Sequence, residues 1–205
     1  MSEVLHVRSP IAAGLMPDRS IASGADPDTA VAIREVTDCA LVQIVARKGQ
    51  AAALCRRLEP VLGATVSGKP LTAAGDRALT LCATGPLELW ALSETQSEAA
   101  LLGILGDAAK EAAYLYGQSH GRVVLRLSGA RAPDVLAKGC PLDLHPSAFP
   151  APGAGHTSIE KMPVLVVKRD DGPTFDLAVG RSYARSFAHW LCEAAREFGY
   201  RAEPA

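Results

Sequence analysis

Two Gly-Pro dipeptides, Gly85-Pro86 and Gly172-Pro173, stand 87 residues apart in a chain of 205, and the patterns around them recur in the same order. Each lies between two apolar runs of strand type, Ala78–Ala83 with Leu87–Leu92 and Met162–Lys168 with Thr174–Val179. Each is followed by a Ser or Thr near a helix start and then by an amphipathic helix. Leu54 and Leu136 hold matching places in the first helix of each half, 82 residues apart. A chain that repeats its pattern this way builds two similar units and packs them together. The expectation is an α+β fold of two β-α-β-β-α halves, about 34–110 and 111–199, forming one compact unit over 34–205. Residues 1–33 read as an irregular arm, because Ser9-Pro10, Met16-Pro17-Asp18, Ser23-Gly24 and Asp26-Pro27-Asp28 interrupt any periodicity.

Within the halves the pattern is specific. Val36–Arg47 reads as one interior strand, apolar on both sides at Leu41, Val42, Ile44 and Val45. A short helix follows from Gln50 and closes near Pro60–Gly63. The next helix is expected to open on the overlapping capping boxes Ser93-x-x-Gln96 and Thr95-x-x-Glu98 and to turn Leu101, Leu105 and Ala108 inward. In the second half Arg122–Ser128 alternates Val123, Leu125 and Leu127 against Val124, Arg126 and Ser128, a strand with two distinct faces. A helix over 130–138 accepts Pro133 in its first turn. A long loop, Cys140–Gly155, carries prolines at 141, 146, 150 and 152. The last helix, Ser182–Phe198, presents Tyr183, Phe187, Trp190, Leu191, Ala194 and Phe198 as one stripe.

Composition removes several functions. Hydrophobic residues make up 48% and charged residues 21%, enough for a core without metal or disulfides. Residues 1–110 hold ten bases and twelve acids, and the remainder eleven and ten, so neither half has the basic excess that phosphate-backbone binding needs. A nucleic-acid role is not expected. The densest apolar run, Cys39–Ala46, is far shorter than the ~20 residues of a bilayer span, and the start lacks a signal-peptide pattern. Five widely spaced cysteines without a Cys-x-x-Cys pair suit reduced thiols in a cytoplasm. Cys39, Cys82 and Cys192, among apolar neighbours, read as small buried hydrophobes.

No motif for catalysis stands out. Gly153-Ala-Gly155 resembles the start of a dinucleotide fingerprint but leads into a strand and lacks a third glycine. The densest group of chemistry-bearing residues is Cys140-Pro-Leu-Asp143-Leu-His145-Pro, with His156 after it. Zinc ligation by Cys140, Asp143, His145 and His156 is one reading, though Cys-x4-His matches no common structural site. A Cys140 nucleophile with His145 as base is another. The favoured reading is a rigid loop pinned to the body by Leu144 and Phe149. His189 and His120 read as surface or turn residues, and Trp90 as core or interface anchor.

The stretch Ser119–Pro150, with Ser-Gly-Ala-Arg after a strand and then Cys-Pro-Leu-Asp-Leu-His-Pro, resembles the gamma subunit of heterotetrameric sarcosine oxidase. So does Pro173–Gly199, containing Gly-Arg-Ser-Tyr-Ala-Arg-Ser-Phe-Ala-His-Trp. The first half matches mainly at Thr84–Leu92, where the family tends to an acidic residue after Gly-Pro and this chain has Leu87. The resemblance implies a fold related to the folate-binding domain of the glycine-cleavage T-protein, visible at Leu125–Leu136. It implies a complex that demethylates sarcosine oxidatively to glycine, passing the methyl carbon to tetrahydrofolate or releasing formaldehyde. FAD, FMN, NAD and tetrahydrofolate would sit on the alpha and beta subunits and zinc on delta, with no cofactor or catalytic residue in this chain. Alternatives are the equivalent subunit of a related N-methyl amino acid or betaine demethylase, or a free-standing folate-binding protein of T-protein type. If the chain is an assembly subunit, its partners are alpha, beta and delta. The expected gripping surfaces are the arm Met1–Ile33 and the Cys140–Gly155 loop, with Leu144, His145, Phe149 and Trp90 as candidate partner contacts.

Overall fold

A computed structural model describes residues 31–203. The first half of the repeat runs β2 (Ala40–Ala46), α1 (Ala51–Leu62), β3 (Thr72–Gly75), β4 (Thr80–Gly85), β5 (Glu88–Ser93), α2 (Glu98–Ala109) and β6 (Ala113–Gly117). The second runs β7 (Arg122–Ser128), α3 (Ala132–Ala137), β8 (Gly153–Ile159), β9 (Met162–Lys168), β10 (Thr174–Gly180), α4 (Ala184–Ala195) and β11 (Tyr200–Glu203). A further strand, β1 (Val31–Val36), precedes both.

The two sheets show the duplication. One has the order β3-β4-β5-β2-β6, and the other β8-β9-β10-β7-β1-β11. Strand for strand these correspond, except that β1 is inserted between β7 and β11, antiparallel to the first and parallel to the second. The full repeat is therefore β-α-β-β-β-α-β. The expected halves lacked their second and last strands: β3, β6, β8 and β11 were not read as strands. Because β6 pairs with β2, the junction between repeats lies between Gly117 and Arg122, later than the boundary expected at 110.

Two further expectations are corrected at the start. Val36–Arg47 is not one strand: β1 ends at Val36, Thr37 and Asp38 break the backbone, and β2 continues in the other sheet. Apolar residues on either side of the break hid it. Of the arm expected over 1–33, only Val31–Ile33 fall within the described residues, and they are strand. Val31 and Ile33 are wholly buried on the sheet face that packs against α3 and α4.

Period-2 alternation sorts the strand residues into layers. Val123, Leu125 and Leu127 of β7 face α3 and α4, with Phe175, Leu177 and Val179 of β10 and Val164 and Val166 of β9. Val42 and Ile44 of β2, Leu81 of β4 and Leu89 of β5 face α1 and α2 through Leu54, Leu58, Leu101 and Leu105. The remaining faces of the two sheets meet each other at Leu41, Cys82, Trp90, Leu92, Val124, Leu165 and Ala178. The result is helix, sheet, sheet, helix, with both sheets covered on both faces.

Helix ends follow local chemistry, with one surprise. Gly63 ends α1 in the left-handed region at φ 71°, where its amide donates to Glu59. The N-cap of α2 is Ser97, whose hydroxyl accepts from Ala100 N at 3.2 Å, rather than either predicted capping box. Ser93 instead folds the preceding turn, donating to Ala78 O at 2.5 Å and accepting from Gln96 N at 3.1 Å. In α4 the apolar stripe is buried at Phe187, Leu191 and Ala194, but Tyr183 sits in a 3₁₀ turn ahead of the helix and faces out.

Candidate functional site

The segment after α3 was the densest group of chemistry-bearing residues, and it organises itself. Asp143 Oδ1 accepts from His145 N at 3.0 Å, closing a turn over Leu144. The His145 carbonyl accepts from the amides of Ala148 and Phe149, both at 2.9 Å, and the ring Nδ1 pairs with Ser147 Oγ at 2.7 Å. These turns send Cys140, Leu144 and Phe149 into the core under α3 and α4, while His145 stays exposed.

That placement corrects the candidate partner contacts. Phe149 and Trp90 are each 1% exposed and Leu144 9%, so these three pack within the chain and have almost no surface to offer a partner. Trp90 lies between the sheets: its indole donates to Glu88 Oε1 at 3.0 Å, the Arg122 guanidinium lies 4.5 Å above its ring, and the His156 ring meets its edge at 5.4 Å. Of the four candidates only His145 reaches solvent. The loop pinned to its own body by Leu144 and Phe149 is the reading the geometry matches.

The four residues weighed as zinc ligands are not brought together. Cys140 is on the helix-facing side of the sheet, His156 on the sheet-facing side against Trp90, and His145 in solvent. Among the described residues no group of three or more His, Cys, Asp or Glu converges as a metal site. Nor do Cys140 and His145 form a nucleophile–base pair. Burial pushes the Cys140 thiol up, and its hydrogen-bond partners are the Leu142 backbone and Thr157.

Two polar features escaped the sequence reading. The first is an ion cluster between the sheets. Arg126 donates through Nε and Nη2 to Asp176 at 2.7 and 2.9 Å, and again through Nη2 to Glu94 at 2.6 Å. Arg169 donates through Nε to Asp176 at 2.6 Å and through Nη1 to Thr80 Oγ1 at 2.7 Å. Two guanidinium groups and two carboxylates balance in charge, as burial demands. Burial alone would lower the Arg126 guanidinium, but the hydrogen bonds to Asp176 and Glu94 outweigh it and hold the group above its ordinary value. The available signal was an Arg alternating with valines and leucines in β7 and an Asp inside the apolar run of β10.

The second is a cavity of about 460 Å³ between α3, the Cys140–Pro146 segment and the turn joining β9 to β10. Leu142, Leu144 and Phe175 wall it, and Lys168, the last residue of β9 and 3% exposed, is among its lining. Its Nζ donates to Phe149 O at 3.2 Å.

Comparison with known proteins places this geometry among relatives. Residues 45–197 match the model of the sarcosine oxidase, gamma subunit family. The sarcosine oxidase subunit gamma of an Arthrobacter species is 35% identical over 173 residues, spanning 82% of each chain. That of Corynebacterium sp. strain P-1 is 38% identical over 116 residues, covering 56% of this chain and about half, 55%, of the relative. A chain of the solved heterotetrameric sarcosine oxidase from Corynebacterium sp. U-96, in complex with pyrrole 2-carboxylate, aligns with a TM-score of 0.78 at 30% identity, covering 97% of this chain and 99% of that one. The glycine cleavage system aminomethyltransferase T from Bartonella henselae shares the fold, with a TM-score of 0.60 at 15% identity over 86% of this chain and 48% of that one.

Proposed function

The chain belongs to the sarcosine oxidase gamma subunit family, and on that premise we propose that it is the non-catalytic gamma subunit of a heterotetrameric sarcosine oxidase. The observation that carries the reading is the correspondence with a chain of the Corynebacterium heterotetramer over 97% of this chain and 99% of that one. The interior supports it. The buried acids and bases of the ion cluster neutralise one another, and the buried thiols are pushed toward the unreactive protonated form.

In this reading alpha, beta and delta subunits carry the chemistry that oxidises sarcosine to glycine, with the methyl carbon passing to tetrahydrofolate or leaving as formaldehyde. FAD, FMN, NAD and the folate are bound there. The gamma chain contributes a stiff body whose exposed surface, His145 included, holds the larger subunits in register. Stiffness follows from two sheets joined by a packed apolar interface and a charge-balanced ion cluster.

Co-expression with the three other subunits tests the proposal. The chain is expected to co-purify with them in equal amount, and alone to show neither visible flavin absorbance nor sarcosine oxidation. A chain that elutes by itself from the co-expressed mixture, or that carries stoichiometric flavin when expressed alone, overturns it.

A further inference from the structure

We propose that the cavity beside the Cys140–Pro146 segment binds a zwitterionic amino acid with an apolar side chain, its carboxylate on Lys168 and its ammonium among Asp134, Asp143 and Asp171. The starting point is an imbalance. An ammonium group has three N–H donors and a full charge, and a nearly buried lysine is ordinarily paired with a carboxylate. Lys168 is 3% exposed, and its ammonium has one neutral partner, the Phe149 carbonyl. Among the described residues no carboxylate pairs with it. The contrast is internal, since the nearby buried cations Arg126 and Arg169 are both tied to Asp176 and Glu94. A ligand carboxylate in the cavity would supply the missing counter-charge.

The cavity has the size and surface for such a ligand. At about 460 Å³ it falls within the range of small-molecule sites, and its walls are mainly apolar: Leu142, Leu144, Phe175 and the rings of Pro133 and Pro146. Its exposed lining carries three acids, Asp134, Asp143 and Asp171. Three acids around one base repel a simple anion, so the molecule that neutralises Lys168 must also bring a positive charge. Asp134 already pairs with Arg131 at 3.1 Å and Asp143 accepts from His145 N at 3.0 Å, which leaves Asp171 the most available to an ammonium. An α-amino acid with an aliphatic side chain meets all three requirements at once. The inference goes beyond the assembly reading and shares one residue with it, since His145 of the proposed gripping surface also lines this cavity.

Titration calorimetry on the full chain with three probes of one carbon skeleton decides it. These are L-leucine, 4-methylpentanoate, which lacks the ammonium, and 3-methylbutylamine, which lacks the carboxylate. Leucine should bind saturably with one site per chain, and each half-probe should bind about tenfold more weakly or worse, as expected for loss of one charge-assisted contact. Lys168→Met should abolish leucine binding, and Asp171→Asn, at an exposed position, should weaken it several-fold with the fold unchanged by circular dichroism. Should Lys168→Met fail to fold, the probe series and Asp171→Asn still decide. The proposal is overturned if leucine gives no saturable heat at millimolar concentration, if 4-methylpentanoate binds as tightly as leucine, or if a folded Lys168→Met chain binds leucine unchanged.

Discussion

Arg126 and Asp176 are direct register partners on the neighbouring strands β7 and β10, and their side chains join through two hydrogen bonds of 2.7 and 2.9 Å between the sheets. Asp176 is wholly buried and holds Arg169 as well, so one carboxylate neutralises part of two guanidinium charges. Replacing it with alanine leaves Glu94 as the one remaining carboxylate for both buried cations. Asp176→Ala is expected to lower stability by about 3–5 kcal/mol, the usual cost of breaking a buried pair from one side. Urea unfolding of the full chain measures it, and Glu94→Gln, at a more exposed position, should cost less.

Phe149 and His145 sit four residues apart and face opposite ways. Phe149→Ala empties a ring's volume from the core and should cost about 3–5 kcal/mol. His145→Ala should change stability by no more than about 0.5 kcal/mol. If the exposed loop grips a partner subunit, the His145 substitution weakens co-purification without moving the urea midpoint.

His156 carries a pH dependence. Burial lowers its imidazole below the ordinary value of 6.5, the Glu88 carboxylate opposing and the Arg122 guanidinium reinforcing the shift. The unfolded chain therefore takes up the proton first as pH falls. Stability from this group is complete above about pH 6.5 and declines below it, levelling once the folded imidazole also protonates. His156→Phe should flatten that part of the stability profile between pH 7 and pH 5, measured by thermal melts at about half-unit steps.

The thiols should separate kinetically. Burial pushes Cys39 and Cys82 up to about 12, and it raises Cys140 and Cys192 as well. Cys55 is also raised but only partly buried. Native chain treated with a thiol reagent near pH 8 is expected to modify Cys55 first, with the other four reacting on unfolding. Rapid labelling of Cys39 or Cys82 in folded protein contradicts the packing described between the sheets.

How far the sequence could be read differs by element. The alternation of Val123, Leu125 and Leu127 against Val124, Arg126 and Ser128 assigned both faces of β7 correctly, because period 2 belongs to the strand itself. The strands β3, β6, β8 and β11 were not legible. Thr-Ala-Ala-Gly of β3 and the Gly-Ala-Gly-His start of β8 have little strand preference alone and are held by pairing with neighbours. In the Cys140–Pro150 loop the stiffening by prolines was visible, and the turn that Asp143 closes was not. The burial of Phe149 was one of two stated possibilities, and only packing chose between them.

What the sequence by itself determined is local or periodic. The repeat about Gly85-Pro86 and Gly172-Pro173, the apolar faces of β7, α2 and α4, and the end of α1 at Gly63 depend on residues within a turn or two of one another. Tertiary structure decided the rest. It placed β1 in one sheet and β2 in the other, set Arg126 against Asp176 and Glu94, turned Trp90 inward and left Lys168 with no carboxylate partner among the described residues. Those outcomes join residues dozens of positions apart, such as Arg169 with Thr80 across 89 positions, and no local preference encodes them. They follow from the requirement that two sheets, each needing cover on both faces, bury one another, and that Arg126 and Arg169 meet Asp176 and Glu94 where they do so.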